Sequence, residues 1–364
     1  MLYKFNPDYC NLMHLKSGHI TSGEVLVLTQ SGSAPTEGSN NNNNDDNLES
    51  EMKRLATWTT SALLATLGTG ALAADVVIGV PNWPSVRVTA NVLKIVLEDN
   101  LGLDVELQNG SNPIVFEAMD SGAMQVHPEV WLPNQANLHN TFVKEKGTVA
   151  MNPNGIPADQ AMCVTKGTAE RTGIKALSEL SDPDMAANFD GDGDGMGEIW
   201  IGAAGWASTN VEKIRAKSYG YDQTMTLKEM DETLALAEVD AATDQNTNVV
   251  FFCYTPHHMF QLYDLVQLEE PPHDPAKWNV AQPTDDPNWL ENSSAAMAWD
   301  KAYLHIHYQA AMDESAAAVL SKVNLTSDQV SAMVYALIVD EMDAEVFARK
   351  WVEENADQVD SWLN

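Results

Sequence analysis

Basic residues are scarce in this chain. Twenty Lys and Arg stand against 52 Asp and Glu in 364 residues, a formal charge of −32. That shortage excludes a general nucleic-acid binder, which needs clustered cations to displace phosphate counterions. It also argues against docking on anionic lipid. Cysteine is scarcer still, and three of them are too few for a disulfide-stapled scaffold. The G-x-S-x-G order is missing from Gly202–Ser208, and H-E-x-x-H does not occur, so the usual hydrolase signatures are lacking. The apolar stretch Leu55–Leu67 is too short and too rich in Thr to cross a membrane. What is present is 44% hydrophobic residues, enough for a sizeable core. The length fits two or three domains or one large two-lobed unit. An acidic surface suits a cationic or zwitterionic partner, or a saline environment.

Residues 1–51 carry no helical or strand periodicity, and Asn40–Asn44 runs into Asp45, Asp46, Glu49 and Glu51. This reads as a disordered or wrongly assigned extension. Met52-Lys53-Arg54, the apolar stretch and Ala71-Leu72-Ala73 then follow in the order of a secretory signal peptide, with 52–73 removed after Ala73. No Cys follows that cut, so no lipid anchor is expected and the mature protein is expected to be freely soluble in the periplasm.

From Val76 the pattern is α/β. Apolar runs at Val76–Val80, Leu103–Leu107 and Met124–Val126 read as strands, with helical spacing at Val88, Val92, Ile95 and Val96 and from Pro113 to Met119. That order implies an open, mainly parallel sheet. A second series begins at Gln160, with strands at Met162–Val164, Glu198–Gly202 and Val249–Tyr254. Helices are expected at Ile174–Leu180, Ser208–Ser218 and Leu227–Val239. A Pro-rich loop spans Pro271–Pro287, and the remainder reads as helical, with Leu320, Val330, Met333, Leu337, Val346, Trp351 and Val359 on buried faces. Two α/β lobes and a helical C-terminus predict a cleft, with ligand at the C-terminal ends of strands.

Aromatics make up only 7% of the chain, yet Trp83, Trp131, Trp206 and Tyr254 all fall at expected strand-to-helix turns flanked by Gly, Pro or Asn. Such positions are poor for core packing. Converging aromatic faces carry negative quadrupoles that attract a quaternary ammonium, each contributing roughly 0.5–2 kcal/mol once water is excluded. Glu129, two residues before Trp131, shares its face on a strand and could add a full negative charge. An ordinary solvated loop carboxylate is the alternative.

The stretch 188–198 contains D-x-D-x-D-G, with Asp190, Asp192 and Asp194 at alternate positions. This spacing wraps oxygens around a hard cation, with the Met196 carbonyl and Glu198 as further ligands, and predicts a structural Ca2+. Ile201 at the twelfth position shows that it is not an EF-hand. His257 and His258 are adjacent and point different ways. His305 and His307 would share a face on a strand, where an ordinary strand surface is the plainer reading. Cys163 and Cys253 both fall in the second lobe, so a disulfide is permitted but not dictated.

The motifs V-I-G-V-P-N-W, H-P-E-V-W-L-P-N, I-K-A-L-S-E-L, Y-T-P-H-H-M-F with D-L-V-Q-L-E-E-P, and K-W-V-E-E-N-A-D-Q-V-D-S-W-L carry a resemblance from about Asp75 to Leu363. The chain resembles the substrate-binding proteins of ABC importers for glycine betaine, proline betaine and related quaternary amines. The resemblance implies a type II periplasmic-binding-protein fold, with lobe 1 over 74–157 and 266–364 and lobe 2 over 158–265. Crossings are implied near Gly155–Gln160 and Tyr263–Leu268. It also implies a monomer that serves an inner-membrane permease, and no enzymatic activity. Trp83 and Trp131 would be first-lobe cage residues, and Trp206 and Tyr254 second-lobe ones; Tyr254 departs from a common Trp. Within the family the trimethylamine N-oxide binders are most similar, on two features. One is the acidic loop. The other is Glu129, which would repel a betaine carboxylate unless His257 or His258 compensated. Glycine betaine, choline or another quaternary amine is the alternative ligand, and a secreted calcium-dependent enzyme a remote one.

Overall fold

The first half of lobe 1 follows from its apolar runs. β1 (Val76–Val80) is buried along its whole length and pairs in parallel with β2 (Val105–Asn109) and β3 (Val126–Leu132). The crossovers are α1 (Pro84–Leu101) and α2 (Asn112–Ser121). Pro84 at the first helical position costs no hydrogen bond there. Gly102, at φ 69°, closes α1 with its N–H on the Glu98 carbonyl, a left-handed conformation that suits glycine. The computed structural model describes residues 74–364. The expected extension over 1–51 and signal peptide over 52–73 lie outside the described residues.

Among the described residues the strands order as β2-β1-β3-β10-β5-β8-β6-β7, with β4 (Val149–Met151) on β10 and β9 (Leu265–Gln267) on β5. Here β5 is Ile156–Thr165, β6 Gly197–Gly202, β7 Met225–Glu229, β8 Val250–Thr255 and β10 Ala302–Gln309. β5 joins the lobes. Ile156–Ala158 pair with β10 in lobe 1, and from Asp159 onward the same strand pairs with β8 in lobe 2. A Cys163–Cys253 disulfide links β5 to β8, with Cα atoms 5.7 Å apart.

The second passage differs from expectation. β9 still pairs within lobe 2, against Cys163–Thr165. The Pro-rich segment after it stays on lobe 2 because Arg215, fully buried, holds Glu212 (3.2 Å), Glu270 (2.5 Å) and the Met297 carbonyl (2.9 Å). Trp299 Nε1 donates to Glu212 at 2.6 Å. The chain returns to lobe 1 only at Ala302, where β10 meets β3 and β5. Tyr263–Leu268 is therefore not the crossing: a loop without periodicity gives no sign of which lobe it packs on.

Other elements also differ. Leu227–Val239, expected as one helix, is β7 followed by the helix Glu232–Gln245, because Asp231 caps a new start by accepting the Thr233 N–H. Ile174–Leu180 is a bridge and a tight 3-10 turn, Leu177–Ser181, with Glu179 accepting from the Ala176 N–H. His305 and His307 lie on an interior strand rather than a strand surface, and His307 is fully buried. The C-terminal helices Glu314–Lys322, Ser327–Ile338, Ala344–Glu354 and Ala356–Leu363 appear as expected, although Val346 is 62% exposed, not buried.

Candidate functional site

Two equivalent turns build the aromatic walls. In each lobe a strand runs into a helix whose N-cap is a tryptophan: Trp83 before α1, and Trp206 before α3 (Ala207–Tyr219). Neither cap receives a side-chain hydrogen bond, so the first N–H groups of both helices keep no capping partner. Gly202 ends β6 at φ 118°, and a Cβ there would stand 2.4 Å from Thr209 Oγ1, so this turn admits only glycine.

The four predicted aromatics come together. The Trp83 and Trp206 rings are 6.3 Å apart and nearly perpendicular, Trp131 and Tyr254 5.4 Å, and Trp206 and Tyr254 6.1 Å. All four are buried, each under 8% exposed. They line a cavity of about 30 Å³ together with Asn112, Asn134, Gln135, Gln160, Ala207, Ser208 and Phe252. A water occupies roughly 10–15 Å³ on such a measure, so the space suits a molecule of a few heavy atoms. Among the described residues no Lys or Arg lines it.

Glu129 lies behind this wall, not in it. Its Oε1 accepts from Ser85 Oγ (2.6 Å), Trp83 Nε1 (2.8 Å) and Trp131 Nε1 (3.2 Å), so one carboxylate oxygen orients both first-lobe indoles. Its Oε2 is buried with no partner. Burial drives its pKa up to about 7, against the three donors, and the charge of Glu232 raises it further. His127 keeps the local strand in place: Nδ1 accepts the Glu129 N–H at 3.2 Å, leaving Nε2–H for Asn112 Oδ1 at 2.9 Å. Burial lowers the His127 pKa to about 3, so it stays neutral.

His257 also stands outside the cavity wall. Its Nε2 faces Glu232 Oε1 at 3.0 Å, and its Nδ1 accepts the Met259 N–H at 3.1 Å. Glu232, first residue of α4 (Glu232–Gln245), was not singled out from the sequence, where an acid after a capping Asp reads as an ordinary helix start. The amides Asn134 and Gln160 were missed as well. They pair reciprocally across the lobes, at 2.6 and 3.0 Å, and amides leave no sequence signature. Trp206 Nε1 bonds Asn82 Oδ1 at 3.0 Å, a further link between lobes.

Away from the cavity, oxygens of Asp190, Asp192 and Asp194 lie within 4.8 Å of one another. Two oxygens on one Ca2+, each at 2.3–2.6 Å, are at most about 5 Å apart, so these three fit such an ion. Glu198 stands apart from that group and accepts the Gly191 N–H at 2.9 Å; the Met196 N–H donates to Asp194 Oδ1 at 2.8 Å.

Comparison with known proteins adds four findings. Residues 74–354 match the family model described as the substrate-binding domain of ABC-type glycine betaine transport systems. The glycine betaine-binding periplasmic protein of Dickeya dadantii is 30% identical over 118 residues, 31% of this chain, and the match spans 36% of that protein's length. The trimethylamine N-oxide-binding protein of Pelagibacter ubique is 24% identical over 288 residues, 77% of this chain and 88% of its own. Among solved structures, the glycine betaine/L-proline-binding protein of Borrelia burgdorferi superposes with a TM-score of 0.62 at 20% identity, covering 79% of this chain and 96% of that one. That likeness establishes the two-lobed type II binding-protein fold.

Proposed function

We propose a ligand from one premise: this chain belongs to the family of substrate-binding domains of ABC-type glycine betaine transport systems. It is a solute-binding component of a betaine- or choline-type importer and not an enzyme. Within that frame our reading is capture of trimethylamine N-oxide. The observation that carries it is a small aromatic cavity with no basic residue on its wall and two buried carboxylates, Glu129 and Glu232, behind it. A methylated ammonium gains from the faces and from Glu232, and it draws Glu129 into its ionised form, so that both carboxylates then act on it. A ligand carboxylate would meet the same two charges without a cation to offset them. The oxide oxygen needs only donors, and the uncapped N-terminus of α3 at Ala207 and Ser208 supplies them. The relative from Pelagibacter supports this reading.

A glycine betaine-binding role is the second reading, favoured by the Dickeya relative and by the same helix N-terminus, which also accepts a carboxylate. We further propose that Asp190, Asp192 and Asp194, with the Met196 carbonyl, hold a structural Ca2+, while Glu198 braces the loop by accepting the Gly191 N–H. Further proposals are that 52–73 is a signal peptide, that the mature protein is a periplasmic monomer, and that it delivers its ligand to an inner-membrane permease. The Dickeya relative is named as a periplasmic protein.

Calorimetric titration with trimethylamine N-oxide, glycine betaine and choline tests the ligand. Tightest binding of the N-oxide is expected. Tighter binding of glycine betaine would replace the first reading with the second, and no binding of any of the three would reject both.

A further inference from the structure

Tyr254 is the weak wall of the cage, because a phenol face attracts a cation less than an indole does. Its surroundings make up the difference. The ring lines the cavity, and its hydroxyl donates to Glu232 Oε1 at 2.5 Å. The same oxygen faces His257 Nε2 at 3.0 Å. Since His257 Nδ1 accepts the Met259 N–H, its Nε2 is the nitrogen turned to Glu232, whose carboxylate places the negative charge of this cluster behind the phenol. Glu232 is 2% exposed and Tyr254 4%, so this charge is poorly screened. Burial and the Glu232 charge hold the Tyr254 phenol well above its usual pKa, so it remains a donor at neutral pH.

Fixing the ring requires an acceptor, and an amide would serve. Glu232 does more than that: its second oxygen, Oε2, is buried without any hydrogen-bond partner, an arrangement that is costly unless a positive charge arrives nearby. We propose that Glu232 is a specificity-determining residue that acts through Tyr254, its carboxylate enriching the phenol face in negative charge so that the cage selects a cationic head over an uncharged one of the same shape. The inference rests on the quaternary-amine reading and adds to it a residue outside the cavity wall.

The test compares choline with its uncharged isostere 3,3-dimethylbutan-1-ol, which has the same branched head without the charge. Affinities of both are measured for the wild-type protein, Glu232→Gln and Tyr254→Phe. Glu232→Gln retains an acceptor for the hydroxyl, so the isostere should bind as before while choline weakens, narrowing the affinity ratio by about three- to tenfold. Tyr254→Phe should narrow it comparably, and the double variant should add little to either. Equal weakening of both ligands in Glu232→Gln would overturn the proposal and reduce Glu232 to a support for the ring. If Glu232→Gln does not fold, Tyr254→Phe decides: an unchanged ratio there overturns the proposal. Failure of the wild-type protein to bind any quaternary amine would instead overturn the ligand class itself.

Discussion

At the residue scale the site turns on one carboxylate that never reaches the cavity surface. Glu129 orients two indoles through one oxygen and keeps the other unpaired. With its pKa near 7, the empty site is substantially protonated in neutral solution. A permanent cation prefers the ionised form, so binding of tetramethylammonium must release that proton. Affinity should therefore be highest above pH 7 and fall as pH drops below it, by up to about tenfold per unit. The groups facing Glu129 are Ser85, Trp83, Trp131, His127 and, from lobe 2, Glu232 beside His257. In Glu129→Gln the pH dependence should flatten; a slope that survives would assign the titration to the Glu232–His257 pair. The same variant should weaken trimethylamine N-oxide and leave glycine betaine unchanged or improved, whereas Trp131→Ala should weaken both, as paired isotherms would reveal. The four aromatics were legible in the sequence by their Gly, Pro and Asn flanks, although only Trp83 and Trp206 sit at strand-to-helix turns; Trp131 and Tyr254 lie within β3 and β8, and all four are buried. Glu232 was not, because its partner Tyr254 is 22 residues away and only the fold brings them together.

At the element scale the acidic loop and the disulfide each give lobe 2 a testable contribution to stability. The loop runs directly into β6, which leads to Trp206. If it holds Ca2+, a chelator or Asp192→Ala should lower the melting temperature, since an ion bound only by the folded state at a hundred times its Kd adds about 2.7 kcal/mol. An unchanged melting curve in chelator would make the loop an ordinary turn. The disulfide closes 90 residues between β5 and β8. Replacing both Cys163 and Cys253 by Ala should cost about 2–4 kcal/mol in denaturant unfolding, while ligand selectivity is retained. Most strands and helices were readable from periodicity. β10 was not: the region after Pro287 was expected to be helical, yet Ala302–Gln309 is a strand, and although Tyr303 is 43% exposed as its alternation with apolar residues suggests, His307 on the same face is fully buried. His307 Nε2 meets His139 Nδ1 at 3.0 Å, and this partner, invisible to local pattern, lets an imidazole replace an apolar side chain.

At the scale of the whole molecule, two covalent passages join the lobes, β5 and the segment entering β10, while the ligand cavity draws its wall from both. Separating the lobes would divide that wall, so an interlobe contact remote from the ligand is expected to bias binding. One such contact is visible: Asn137 of lobe 1 donates through Nδ2 to Thr284 Oγ1 at 3.2 Å and Asp285 Oδ1 at 3.1 Å, on the Pro-rich loop that Arg215 anchors to lobe 2. The loop thus touches lobe 1 while attached to lobe 2, an attachment unreadable from sequence. Asn137 does not line the cavity. Its removal should change only the population of the closed state, and apparent affinity scales with that population. Asn137→Ala should weaken trimethylamine N-oxide, glycine betaine and choline by one common factor, about two- to tenfold for exposed hydrogen bonds, through faster dissociation. Stopped-flow tryptophan fluorescence with each ligand measures it. A factor that differs between ligands would place Asn137 in ligand recognition, and no change at all would mean that its hydrogen bonds hold no part of closure.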